Sequence, residues 1–499
     1  MGKMKSCVKK NWFWLILILC VSYSVVGSTV HARLISVPYM YATIQSAIIA
    51  AKDGDVVIVY SGTYKGKGNT NIDLLGKKIT LHSENGPSTC IIDCENNGRG
   101  FYFHSGERDT TIISGFTIIN GHVDMGGAML IEQSAPKIMN CIMSYNSANQ
   151  GGAVYIDYSC KSSFLFPLIQ FENCIMNNNL AIFNGGGIHY SAPCSISSLI
   201  LTNCTINNNT ACNSGGGIYG TMLPSSTLSL YSTRLRSNVA FVDGGGMYYV
   251  TSCASLYAKD SLFVSNVACR YGAGLYYSVS CSSSVFENCT FSENIAGIDG
   301  GAMYAEGSGP YVTQSILWDD RPSEIGGFVL NASYSDIEGG CVGYGNINAP
   351  PQFIDPLNGN YRLKPESPCI DMQVEVNNPS CDADAENDET TDSECTDIAS
   401  IDIGAYQFNE ADYFPYKSTS DLIQWDYRAD DTFYWVDIYD THNVSVSKNK
   451  GVAYGENLHQ FSLAKLKLTP GTYSWKVWSP SIINFWGNMT NFEGELTIK

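Results

Sequence analysis

The sequence predicts an all-β fold, a right-handed parallel β-helix, and three observations carry that reading. A glycine cluster recurs as QGGAVY from Gln150, NGGGIHY from Asn184, SGGGIYG from Ser214, DGGGMYY from Asp243, YGAGLYY from Tyr271 and DGGAMYA from Asp299, a period settling to about 28 residues. A second phrase, apolar-x-x-Asn, precedes each cluster: Met143 to Asn146, Met176 to Asn179, Ile206 to Asn209, Leu235 to Asn238, Phe263 to Asn266 and Phe291 to Asn294. Composition agrees, with only 15% charged residues, 47 Gly, and Tyr (31) outnumbering Phe (20) and Trp (8) together, which favours β-rich, turn-dense structure. A unit this short cannot bury a core alone, so consecutive units must stack as coils of a solenoid.

The elements follow in chain order. In residues 1–32 four Lys precede an apolar run, and Val30-His31-Ala32 offers a small-x-small cleavage pattern, so a secretory signal peptide and a secreted or cell-surface product are expected. An uncleaved anchor is the alternative; no other apolar run is long enough to span a bilayer. Thr43 to Lys52 forms an apolar-faced helix, expected to plug the open end of the helix core. The coils then run on, alternating with period two, with Gly and Asn at corners where positive φ is needed and with Asn amides stacked along the axis. Less regular strands in DPLNGNYRLKPESPCID and DIGAYQF cover the other end near Phe408. The domains are therefore 1–32, 33–408 for the β-helix, and 409–499, where dense aromatics and a PGTYSWKV hairpin point to a small β-sandwich.

Residues 36–408 resemble the right-handed β-helix proteins of the pectin-lyase-like superfamily, through AAKDGDVVIVYSGTY at the front and SPCID with DIGAYQF at the back. The paired glycine and apolar-x-x-Asn phrases are similar to those of chlamydial polymorphic outer-membrane proteins. Those proteins carry a C-terminal transporter barrel, for which residues 409–499 are too short, so an autotransporter route is not expected. The last segment resembles fibronectin type III or immunoglobulin-like modules. The superfamily resemblance implies a polysaccharide lyase or hydrolase as one function.

Formal charge moves from -18 to -22 once the four Lys of residues 1–32 are removed. That argues against nucleic acid and anionic membranes, and leaves neutral sugars, cations or basic protein surfaces as partners.

The first candidate site is an aromatic column, Tyr155, His189, Tyr219, Tyr248, Tyr276 and Tyr304, separated from the glycines by apolar Val154, Ile188, Ile218, Met247, Leu275 and Met303. Period two sends the apolar residues in and the rings out, as a stripe for an extended polysaccharide or as a ladder that merely stabilises itself. Cys160/Cys194 and Cys253/Cys281 fall in one column on adjacent coils and are disulfide candidates, whereas Cys141, Cys174, Cys204 and Cys289 read as buried small hydrophobes. No zinc arrangement exists, no cofactor is expected, and Ca²⁺ is the one ion considered, at Asp382, Asp384, Glu386 and Asp388, where the EF-hand spacing fails at Asn387 and Ser393. Between residues 126 and 305 the carboxylates Glu132, Asp157, Glu172, Asp243, Asp260, Glu287, Glu293 and Asp299 share no column, and His122 with Asp124 is the best lone acid/base pair. The leading expectation is a non-enzymatic, adhesin-like binder of extracellular glycan; the alternative is a polysaccharide lyase or glycoside hydrolase.

Overall fold

The computed structural model describes residues 32–158, 167–193, 196–279, 284–307, 309–356, 359–370 and 403–404, with the backbone of further strands between 372 and 498. One coil gives the plan. Ser198–Thr202, Thr205–Asn207, Thr210–Ala211 and Ile218–Met222 are four short strands, and Thr227–Tyr231 opens the next coil over Ser198–Thr202. Repetition yields four parallel sheets of 12, 11, 7 and 10 strands, numbered here first to fourth in that order around the coil, in a right-handed β-solenoid.

The corners follow from residue type. Asn203 (φ 50), Asn208 (φ 54) and Gly215 (φ 70) turn the chain between successive sheets, in the left-handed region that Asn and Gly tolerate best. The glycine clusters lie over one another: the Gly185 amide donates to the Ser214 carbonyl, Gly215 to Asp243, Gly244 to Tyr271 and Gly272 to Asp299. A Cβ on Gly216 would stand 2.4 Å from the Gly245 carbonyl oxygen, so the rungs approach too closely there for any side chain.

Inside, Val154, Ile188, Ile218, Met247, Leu275 and Met303 are fully buried in one register of the fourth sheet. Each contributes roughly 1.5–3 kcal/mol by leaving water. Cys141, Cys174, Cys204 and Cys289 are buried free thiols in the same core, as small hydrophobes would be. Cys90 and Cys94 are buried and free as well, and burial pushes both thiols up to about 12.

The second phrase of the repeat builds a side-chain ladder. The backbone amide and Nδ2 of Asn238 both donate to Oδ1 of Asn266, at 3.0 Å each, while Nδ2 also reaches the Ile206 carbonyl at 2.8 Å. The same pattern links Asn146, Asn179, Asn209, Asn238, Asn266 and Asn294, all buried. Five of these seats are filled on the next coil by another Asn; the sixth, Asn294, donates instead to Oδ1 of Asp320, at 2.6 and 2.7 Å.

The helix is shorter than its sequence pattern, Ile44–Ala50, because Thr43 caps it through its hydroxyl to the Ser46 amide and Ala51 leaves in extended conformation. Ile44, Ala47 and Ile48 are buried, against the strands Leu34–Val37, Val56–Val59 and Ile72–Asp73. Beyond the coils, Phe353–Asp355 pairs antiparallel with Asn360–Leu363, and Tyr361 packs with Leu262 and Val264 on the outside of the second sheet. Farther on, Phe433–Tyr439, Ser445–Ala453, Gly471–Ile483 and Met489–Ile498 form a four-stranded antiparallel sheet, and Ser418–Thr419, Leu422–Gln424 and Gln460–Ser462 form a three-stranded one. The expected signal peptide, residues 1–32, is described only at residue 32, and the acidic residues Asp382, Asp384, Glu386 and Asp388 lie outside the described residues. Among the described residues no helix is long and apolar enough to cross a membrane.

Candidate functional site

The six residues of the aromatic column do share one outward row of the fourth sheet, each paired with the next in register. Their rings stack on one another: centroids are 4.7 Å apart for Tyr155/His189 and His189/Tyr219, 5.0 Å for Tyr219/Tyr248, 4.7 Å for Tyr248/Tyr276 and 5.6 Å for Tyr276/Tyr304. Tyr219 and Tyr248 are within 1° of parallel. Interior ring faces are therefore covered by their neighbours, and what the column presents to solvent is ring edges and hydroxyls. Tyr155, His189 and Tyr276 are buried by this stacking, with Tyr219, Tyr248 and Tyr304 partly exposed.

Electrostatics follow burial. Desolvation pushes the Tyr155 and Tyr248 phenols up to about 12 and drives the His189 imidazole down to about 4, so all three are neutral near pH 7. Tyr155 shares a hydrogen bond with Ser191, and Tyr276 with Glu306 of the following coil, so the hydroxyls lean toward the next outward row. Burial and the Glu306 carboxylate together raise the Tyr276 phenol further.

Each end of the column carries an acid and an arginine. At the C-terminal end Arg270 grips Asp243 with two bonds, Nη2 to Oδ2 at 3.0 Å and Nε to Oδ1 at 3.2 Å, and its guanidinium lies 5.4 Å over the Tyr271 ring, which itself stacks on Tyr304 at 4.4 Å. Burial raises the Asp243 carboxyl, and Arg270 pulls it back. At the N-terminal end the Tyr102 hydroxyl donates to Glu132, Arg99 stands 5.2 Å over the Tyr102 ring, and His104 is 3.3 Å from Asp73. Tyr102 occupies the row of the aromatic column, with Leu130 between it and Tyr155.

Sequence reasoning placed the column but missed Tyr102, Arg99, Arg270 and Glu306. It also missed a second, inward row that carries Tyr190, Tyr249 and Tyr277, fully buried one pleat away, with Tyr158 buried two residues beyond the same row. Gly220 stands in that row beside Tyr249, whose Cδ2 would lie 3.2 Å from an added Cβ. His122 and Asp124 each bond forward to the next coil, His122 Nδ1 to Ser147 Oγ at 2.8 Å and Asp124 Oδ1 to Asn149 Nδ2 at 3.0 Å. Glu172 pairs with Lys137 and Glu287 with Lys259, both on the first sheet.

Below the ladder, Asp320 and Glu324 form a buried acid pair: the Asp320 amide donates to Glu324 Oε1 at 3.0 Å, while Asp320 Oδ2 and Glu324 Oε2 face no donor. Burial raises the Asp320 carboxyl to about 7, and burial with the Asp320 charge holds Glu324 higher still, protonated at neutral pH. The protonated Glu324 carboxyl shares a side-chain hydrogen bond with Asp320. Among the described residues no group of three or more His, Cys, Asp or Glu is arranged to hold a metal ion.

Cys253 is disulfide-bonded. Of the other three disulfide candidates, Cys160, Cys194 and Cys281 all lie outside the described residues. Thr251 is in register with Val279, and the sequence column makes Cys281 the expected partner of Cys253. Non-reducing peptide mapping of the folded chain is expected to recover a peptide joining residues 253 and 281; recovery of Cys253 joined to any other cysteine overturns that pairing.

Residues 147–316 match the family model described as a right handed beta helix region. No curated protein matches the chain.

Proposed function

We propose that this chain, whose residues 147–316 form a right-handed β-helix region, is an exported, non-enzymatic binder of extracellular glycan or another cell-surface component. The observation that supports the reading is the outward column itself. It runs about 24 Å at ~4.8 Å per rung, is neutral along its length, and sets a row of phenol hydroxyls beside the hydroxyls of Ser191, Thr221 and Ser278. A straight, repeating row of donors and acceptors suits a straight, repeating polymer of hydroxyl groups, and the stacked rings hold it rigid before binding. The acids at the column ends are engaged, Asp243 by Arg270 and Glu306 by Tyr276. In the same reading the helix Ile44–Ala50 closes the N-terminal end, and the two antiparallel sheets after residue 409 make a sandwich that adds a second contact surface.

The test keeps the stack and removes the hydroxyls. A Tyr219→Phe, Tyr248→Phe, Tyr304→Phe variant is expected to lose at least tenfold in affinity for the glycans the wild type retains on an array, about 1.4 kcal/mol, with its melting temperature little changed. Unchanged affinity overturns the column as a binding face and leaves stacking as its whole role.

A second reading, a polysaccharide lyase or glycoside hydrolase, is favoured by one specific observation: Asp243, Arg270, Tyr276 and Glu306 converge on one face, with the Asp243 carboxyl raised by burial. New reducing ends or unsaturated products from a bound glycan establish that reading; binding without new ends establishes the first.

A further inference from the structure

We propose that a cleft on the first sheet, near the N-terminal end of the solenoid, binds a neutral pyranose ring; this rests on the glycan-binding reading and assigns it a second contact on a different face. The cleft measures about 560 Å³ and is lined by strand residues Thr80, His82, Ile112 and Met139 and by the turn that carries Ser83 and Asn85. That volume lies within the range of small-molecule sites.

Its construction is local. The chain leaves Thr80–Ser83 through Gly86 (φ 80) and Pro87, so the turn stands up as a wall beside the strand Ile112–Ser114. Gly115 (φ 82) forms part of the floor, and a Cβ there would lie 2.2 Å from Ser83 Oγ, so only glycine leaves that hydroxyl its place. Ser83 lines the cleft and is 6% exposed, and its Oγ, closed off from solvent until the side chain rotates toward the cleft, has no hydrogen-bond partner. A buried hydroxyl left unpaired costs about 1–3 kcal/mol, which a ligand hydroxyl would recover.

The neighbouring groups define the ligand. His82 Nδ1 lies 2.9 Å from the Ser83 carbonyl oxygen, which can only accept, so Nδ1 carries a proton, and in the neutral imidazole Nε2 is an acceptor. Asn140 Nδ2 is committed to Ser114 Oγ at 3.1 Å, which fixes the floor. Ile112 and Met139 supply apolar surface for a ring's C–H face. No Lys, Arg, Asp or Glu lines the cleft. A phosphate, sulfate or uronate would therefore enter without a counter-charge and lose its hydration, whereas a neutral hexose brings hydroxyls to Ser83 and His82 and an apolar face to Ile112.

Saturation-transfer NMR on the full secreted chain, with methyl glucoside, methyl galactoside, methyl mannoside and galacturonate as probes, tests this. Transfer to at least one neutral glycoside and none to galacturonate is expected. Ile112→Trp, or Met139→Trp if the first variant unfolds, is expected to abolish the cleft's part of that signal, and Ser83→Ala to weaken affinity roughly tenfold. In a Tyr219→Phe, Tyr248→Phe, Tyr304→Phe background, which removes the column's own contribution, the transfer that remains is expected to be the part that Ile112→Trp abolishes. No transfer to any neutral glycoside, equal transfer to galacturonate, or full binding by a folded tryptophan variant overturns the cleft. Loss of signal in the tyrosine variant would place the bound sugar on the column and overturn it too. Failure of the cleft with the column still binding leaves the broader reading standing.

Discussion

Asn238→Leu is expected to lower the unfolding free energy by about 3–5 kcal/mol. Leucine has the branching and the number of side-chain heavy atoms of asparagine but none of its hydrogen-bonding groups, so most of the loss is polar. Oδ1 of Asn238 receives both the amide and the Nδ2 of Asn209, at 3.1 and 3.0 Å, and its removal strands these donors where no water reaches. The Ile206 carbonyl and Asn266 Oδ1 lose a donor as well. In a solenoid each coil is supported only by its neighbours, so the damage spreads along the axis rather than into an independent core. Urea unfolding followed by circular dichroism measures the change. A loss under about 1 kcal/mol would mean that the backbone sheets alone hold the coils, and the ladder account would fall.

The second large effect concerns the end of that ladder. Asp320 in the folded chain is raised from 3.8 to about 7. The folded state thus keeps a proton that the unfolded chain releases between about pH 4 and 7. Stability from this group is therefore full below pH 4 and is lost as pH rises through 7, by roughly 2–4 kcal/mol. Asp319 and Glu338 add negative charge nearby, and Arg321 is 3.2 Å from Asp319. His189 works in the opposite direction, since its imidazole, held down at about 4 by burial, costs stability as pH falls from 6.5 to 4. Asp320→Asn removes the first dependence and leaves the second. An amide at 320 still accepts from Asn294 and can donate to Glu324, so the variant is expected to melt several degrees higher than wild type at pH 8 and close to it at pH 5. Parallel melting curves for the two proteins from pH 5 to 8 would show that the acid pair carries no such burden.

The coils were legible because their corners admit few residues. Glycine at 215 and asparagine at 203 and 208 are chosen by φ, and the buried amide at 209 by the ladder, so spacing alone revealed both. Asp320 hid because it continues the apolar-x-x-Asn phrase from Leu317 with a carboxyl in place of the amide. Glu306 hid for a different reason: it stands one residue past the 126–305 stretch of scattered carboxylates, and its partner Tyr276 belongs to the preceding coil. Period two correctly sent the rings outward. It gave no sign that each would lean flat against the next, since ring orientation depends on χ angles and not on the spacing of residues.

In the asparagine ladder every Nδ2 donates one hydrogen to the following coil and the other to a carbonyl of the preceding one, while every Oδ1 accepts from the preceding coil, from Asn146 through Asn294. Six amide dipoles thus lie head to tail, reinforcing one another in a dry interior. The rod consequently has an electrical polarity of its own, positive where the column meets Asp320. A carboxylate formed there sits at the attractive pole, which offsets part of what its isolation from water costs.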